Sequence, residues 1–204
     1  MTKNEILNKC TRYYNNDDLF DSADIVEKIN DSIEEAAQVI IQSNPYCFNL
    51  KTIDLGLLTE TISTPNDMFL PHHLLIKDND GNILGNVKIS FAGDLYKTQT
   101  LSAIITDSEI NIKNLKNYST DLYGEFYYNA YPTLLSLTTD NDEIIKLPRF
   151  CKNFLVFSTL RNMTIQDDEI KRNIKEKFVE SYKQMELSAR LFSKGRRTNI
   201  QKYY

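Results

Sequence analysis

His72 and His73 are the only histidines in the chain. Imidazoles are the commonest transition-metal ligands and the commonest acid–base groups near neutral pH. Neighbouring side chains in an extended strand point to opposite faces, so this spacing predicts that the two rings do not share a metal ion. The segment "DNDGN" at 78–82 has the alternating oxygen donors of a calcium loop. Such a loop needs an acid two residues earlier, where Ile76 stands, and a glutamate at its twelfth position, where Val87 stands. A hairpin turn accounts for it instead. The acidic pairs Asp17-Asp18, Glu34-Glu35 and Asp167-Asp168 fall at helix starts or on solvated helix faces, where capping explains them. No phosphate-binding glycine loop and no nucleophile elbow is present. We therefore expect no catalytic residue, no metal and no cofactor. The alternative is a hydrolase whose Ser-His or Cys-His pair is assembled only in space.

Two other stretches carry recognition chemistry rather than reaction chemistry. The first is the end, "LFSKGRRTNIQKYY". From Leu187 onward there is no Asp or Glu, while Arg190, Lys194, Arg196, Arg197 and Lys202 are all basic. Set against the whole chain's net charge of −4, these five positive charges leave −9 on the preceding 186 residues. Three readings of the tail compete: a solubilising end, an electrostatic nucleic-acid contact, or an arm that orders against a protein partner. The third accounts best for the mixture. Lys194, Arg196, Arg197 and Lys202 can pair with carboxylates while Ile200, Tyr203 and Tyr204 fill pockets. The second stretch is "LYGEFYYNAY", with Tyr123, Phe126, Tyr127 and Tyr128. Tyrosine hides apolar area and keeps a polar tip, which suits a subunit interface; a half-exposed strand is the competing explanation.

The elements that must hold these residues follow from periodicity. A short helix is expected over 4–14. A stronger one begins at Asp21 or Ser22, with Ile25, Ile29, Ile33, Ala36, Ala37 and Ile40 on one face. Pro45 ends it. The pattern then alternates. Strands are expected at 52–58, on both sides of the 78–82 turn, at 100–106 and at 121–131, with a second hairpin over 133–147 turning at 139–142. From Pro148 the helical period returns. Phe150, Phe154, Phe157 and Leu160 mark one helix. Ile170, Ile174, Phe178, Tyr182, Met185, Ala189 and Phe192 mark a longer one, which starts at Asp167 or Asp168 and ends at Gly195. The fold class is α+β. N- and C-terminal helices pack as a small bundle, with a central antiparallel β-rich insertion. The expected divisions are 1–50 (N-terminal helices), 51–147 (β-rich region), 148–192 (C-terminal helical pair) and 193–204 (docking tail), making one structural domain plus a tail.

Bulk properties narrow the class. At 204 residues with 41% hydrophobic and 25% charged residues, the chain can bury a sizeable core. Cys10, Cys47 and Cys151 are odd in number and widely spaced, so reduced thiols in an intracellular protein are expected. The start "MTKNEILNKC" has no apolar leader region, and no apolar run is long enough to span a membrane.

The order of elements resembles the head-to-tail adaptor family of short-tailed bacteriophages, also called tail tubular protein A. The likeness is carried by "DIVEKINDSIEEAAQVIIQSNPYCFNL", "MFLPHHLLIKDNDGNIL" and "IIKLPRFCKNFLVFSTLRNM", followed by the long charged helix with "YKQMELSAR" and the tail. The resemblance implies a virion structural protein, not an enzyme, located at the portal vertex and made in the host cytoplasm. It implies a homo-oligomeric ring of about twelve copies that joins the portal protein to downstream tail proteins and extends the DNA channel. DNA would pass through without specific binding, and no membrane is involved. The portal-docking role falls on residues 187–204. The acidic body suits a wall along which DNA slides. A generic α+β protein-binding module is the other non-enzymatic alternative.

Overall fold

The computed structural model describes residues 1–14, 23–91, 100–106, 108–118, 120–136, 143–163 and 165–200, with side chains for all of these except 23, 88, 91 and 193–200. The chain forms two compact units, Met1–Phe48 with Pro132–Tyr204, and Asn49–Tyr131. The α+β expectation holds, with helices at both ends of the chain and strands between them. The strands enclose an apolar core of their own.

In the helical unit, α1 (Lys3–Tyr13) starts at a capping box. Thr2 Oγ1 accepts from the Glu5 amide, and the Thr2 amide donates to the Glu5 carboxylate, both at 3.2 Å. Helix α2 (Ala23–Ser43) buries all six residues of its expected stripe. Its expected caps, Asp21 and Ser22, lie outside the described residues. It ends where Asn44 caps a short 3₁₀ turn, Pro45–Cys47. Helix α3 (Lys152–Arg161) follows a 3₁₀ turn, Arg149–Cys151, that Pro148 opens. The sequence predicts one apolar stripe on α3, but every residue from Phe154 to Leu160 is buried. A helix that is apolar all round must be central. Its two buried hydroxyls are satisfied: Ser158 donates to Glu35 at 2.6 Å, and Thr159 donates to Ser32 at 3.2 Å. Helix α4 (Asp168–Ile200) begins where Asp167 Oδ1 accepts from the Glu169 and Ile170 amides, at 2.8 and 3.0 Å.

Among the described residues of the second hairpin expected over 133–147, none belongs to a strand. Its turn, 139–142, lies outside the described residues, and the flanking segments belong to the helical unit. Their backbone groups pair elsewhere. The Asn30 side-chain amide brackets Leu135, donating to its carbonyl at 3.0 Å and accepting from its N–H at 2.8 Å. Lys3 N–H donates to the Glu143 carbonyl at 3.0 Å, Ile145 N–H donates to the Met1 carbonyl at 2.9 Å, and Thr2 and Ile144 form an isolated bridge. Alternating composition makes a strand only when another strand takes its hydrogen bonds.

The strand unit holds β1 (Leu50–Leu57), β2 (Thr61–Ser63), β3 (Met68–Lys77), β4 (Ile83–Phe91), β5 (Ser102–Ile105), β6 (Glu109–Lys113) and β7 (Tyr123–Ala130). Their order in the sheet is β1-β7-β3-β4-β5-β6-β2, antiparallel except for β4 with β5. Strands β2 and β6 are additional to the expected set. The β3–β4 turn is the one expected. Asp78 accepts from the Asp80 and Asn82 amides at 3.0 and 2.8 Å, and Gly81 has φ +82°.

The two ends of this sheet, β1 and β2, are consecutive in the chain. Residues 58–60 join them, so the sheet curls back on itself. The link bonds to both halves: Leu58 N–H donates to the Leu122 carbonyl, and Ile112 N–H donates to the Glu60 carbonyl, each at 2.8 Å. Leu58 turns inward onto Leu74, Phe126 and the rest of one core. It needs Gly124 beneath it, where an added Cβ would lie 2.4 Å from Leu58 Cδ2 and 3.3 Å from Leu74 Cδ1. Gly124→Ala is therefore expected to destabilise the protein by about 1–3 kcal/mol. The penalty should shrink in a Leu58→Ala background, as a double-mutant cycle in urea would read. Equal penalties in both backgrounds would disprove the contact.

Candidate functional site

Helix α4 carries the candidate site. Its inner stripe is buried or half-buried from Ile170 to Ala189. Ala189 is the last buried residue of α4 among those whose side chains are described. There the side-chain amide of Asn44, itself buried, donates to the Ala189 carbonyl at 3.2 Å, and Cys47 Sγ lies 3.4 Å from the same oxygen. Beyond this point the backbone stays helical to Ile200. Phe192 continues the inner stripe but is 42% exposed. Leu187 and Leu191, one turn apart on the opposite face, are 57% and 52% exposed. Among the described side chains, Leu187 and Leu191 thus form an exposed apolar pair near the end of α4. A lone exposed leucine needs no explanation, whereas such a pair fits a partner surface.

The tail residues named from sequence divide at Ile200. Lys194, Arg196, Arg197 and Ile200 have helical backbone, and their side chains are not described. Lys202, Tyr203 and Tyr204 lie outside the described residues. Gly195 does not end the helix. Glycine permits a left-handed stop but does not compel one, and its cost inside a helix is only about 1 kcal/mol. Leu187 and Leu191 fall within the 187–204 stretch to which the resemblance assigned docking, but neither was named individually as a contact residue. Their i, i+4 spacing on the polar side of the stripe was the available signal.

The second candidate surface, β7, separates into two faces. Phe126 and Tyr128 are 0% and 2% exposed, packed in the core of their own unit. Their proposed place in a subunit interface is corrected accordingly, because alternation along the strand turns both inward. Tyr123 and Tyr127 are half-buried, on the other face. Tyr127 OH donates to Glu125 at 3.0 Å, and Lys77 donates to the same carboxylate. Lys77 first, then Tyr127, holds the Glu125 carboxyl below its usual range. A second Lys–carboxylate–Tyr set lies nearby in this unit: Lys51 and Tyr128 OH both donate to Asp67, the latter at 2.9 Å. Each carboxylate is neutralised by its lysine, which suits fixed surface structure better than proton transfer.

The histidines depart from the sequence expectation. Alternation predicts opposite faces, but the β3–β7 register shifts between Pro71 and His73. This bulge re-aims the side chains. The Nδ1 atoms of His72 and His73 meet, with ring centroids 4.6 Å apart. His73 also stacks on Tyr127 at 4.3 Å. Such an Nδ1–Nδ1 contact requires one ring to donate to the other. Burial, followed for His72 by the charge of His73, pushes both imidazoles below their usual 6.5. Among the described residues no three His, Cys, Asp or Glu side chains gather as a metal site, and no helix is long and apolar enough to cross a membrane.

No family model matches the chain, and no curated protein matches it.

The histidine pair makes a pH prediction. Above about 6.5 the rings are neutral folded or unfolded, and the pair contributes no penalty. As pH falls below that value, the unfolded chain takes up protons that the folded strand unit resists, so stability drops. The urea midpoint should fall between pH 7 and pH 5, and less steeply in His72→Asn/His73→Asn. Equal slopes would refute the linkage.

Proposed function

We propose that the protein is a non-enzymatic ring subunit that connects the portal to the tail in a short-tailed bacteriophage virion. The supporting observation is α4 itself. It continues as helix past Ala189 to Ile200, with Leu187 and Leu191 exposed and no acidic residue after Glu186. A helix of this kind gains binding energy by laying an apolar face in a partner's groove while its cations meet carboxylates at the rim. The order of sequence segments described above supports placing that groove on the portal. The remaining 186 residues carry −9, a charge that repels DNA from a channel wall and leaves the strand unit to shape the ring or meet the tail. About twelve copies would close the ring.

The experiment is direct. Mixed with isolated portal rings, the full chain should give a stoichiometric complex by mass photometry. Removing residues 193–204, or changing Leu187 and Leu191 together to serine, should weaken that complex at least tenfold. Undiminished binding by both variants would eliminate the arm. Binding that collapses with salt but ignores the serine changes would favour a purely electrostatic tail.

A further inference from the structure

Within the helical unit, the end of α3 and the first turns of α4 leave an open groove of about 440 Å³. Small-molecule sites span roughly 300–1,000 Å³ and combine an apolar lining with a few convergent polar groups. This groove has that make-up. Leu160, Ile165 and Ile174 form a buried floor, with the half-buried Phe178 beside them. Three cations, Arg161, Lys171 and Lys175, stand around it, and among the described lining residues there is no acid. Nine described residues line the groove, against roughly 20–30 on each side of a standard protein interface, so its size suits a small molecule.

The three cations are not equivalent. Arg161 is already satisfied. Its guanidinium carbon sits 4.0 Å above the Phe178 ring, its terminal nitrogens reach Glu35 at 3.3 and 3.0 Å, and its Nε donates to Asn162 at 3.3 Å. It serves as a fixed wall. Lys171 meets the exposed Asp168 at 3.3 Å, an ion pair weak enough to exchange. Lys175, one turn further along α4, has no carboxylate within 4.0 Å among the described residues. Like charges at this i, i+4 spacing destabilise a helix, and an anion set between them reverses the sign. We infer that the groove binds a small amphipathic carboxylate, with its apolar body on Ile165, Ile174 and Phe178 and its carboxylate between Lys171 and Lys175. The apolar floor supplies affinity, and the two lysines fix which end of the molecule faces out. This site lies apart from the end of α4 and does not depend on the connector reading.

The test is isothermal titration calorimetry of the full-length protein with dodecanoate, below the concentration at which it forms micelles. Saturable binding of one molecule per chain is expected. Dodecyltrimethylammonium, with the same body and the opposite charge, should bind at least tenfold more weakly. Lys171→Gln/Lys175→Gln should weaken dodecanoate binding at least tenfold. Val179→Asp, which puts a carboxylate in the lining at an exposed position, should do the same. Circular dichroism checks that both variants fold. Absence of saturable binding, equal binding of the two surfactants, or indifference to the lysine changes overturns the site. Failure of dodecanoate alongside tight binding of a hexapeptide with two central leucines flanked by glutamates also overturns it, in favour of a protein partner.

Discussion

The helical unit depends on one constraint: α3 has no side that tolerates water. Phe154, Leu155, Val156 and Leu160 are all essentially unexposed, and each such side chain contributes about 1.5–3 kcal/mol by leaving solvent. No single neighbour can cover a helix on every face. Helices α1, α2 and α4 therefore come from both ends of the chain to surround it, and α1 and α2 are separated from α3 by more than a hundred residues. The polar atoms on α3 follow the same rule. Ser158 and Thr159 turn toward Glu35 and Ser32 because a buried hydroxyl without a partner costs more than the bond returns. Glu35 also holds Arg161, so one carboxylate on α2 fixes both the packing of α3 and the cation at the groove's edge.

The strand unit solves the same problem differently. A seven-stranded sheet with one apolar face has two edges to protect. Here the edge strands are joined by a three-residue link, and Leu58 from that link closes the core over Gly124. Closure explains why this unit is compact on its own. It also explains the division of labour on β7, where Phe126 and Tyr128 face in and Tyr127 faces out to stack on His73.

Much of this was legible in the residues, and the failures share a cause. The α2 stripe, the hairpin around residues 78–82 and the Asp167 cap depend on contacts close in sequence, so period and residue type sufficed. The histidine bulge depends on register against β7, more than fifty residues away, and no local pattern reports it. Residues 133–136 and 143–147 alternate like strands, but their backbone hydrogen bonds go to Asn30, to the first three residues and, from Ser136, to the Glu143 carboxylate. Strand β2 has only three residues, too few to show a period. The candidate arm was half legible. Its charge and the inner stripe were plain, while the uncovered leucines became evident only once the limit of burial at Ala189 was known.

Asn44 gives that limit a mechanical meaning. Its side chain fastens the end of α2 to Ala189 on α4, and the chain crosses into the strand unit only a few residues later, at Phe48. Tension applied along the end of α4 would therefore meet the Asn44 and Cys47 contacts at Ala189 before it reached the earlier turns of that helix.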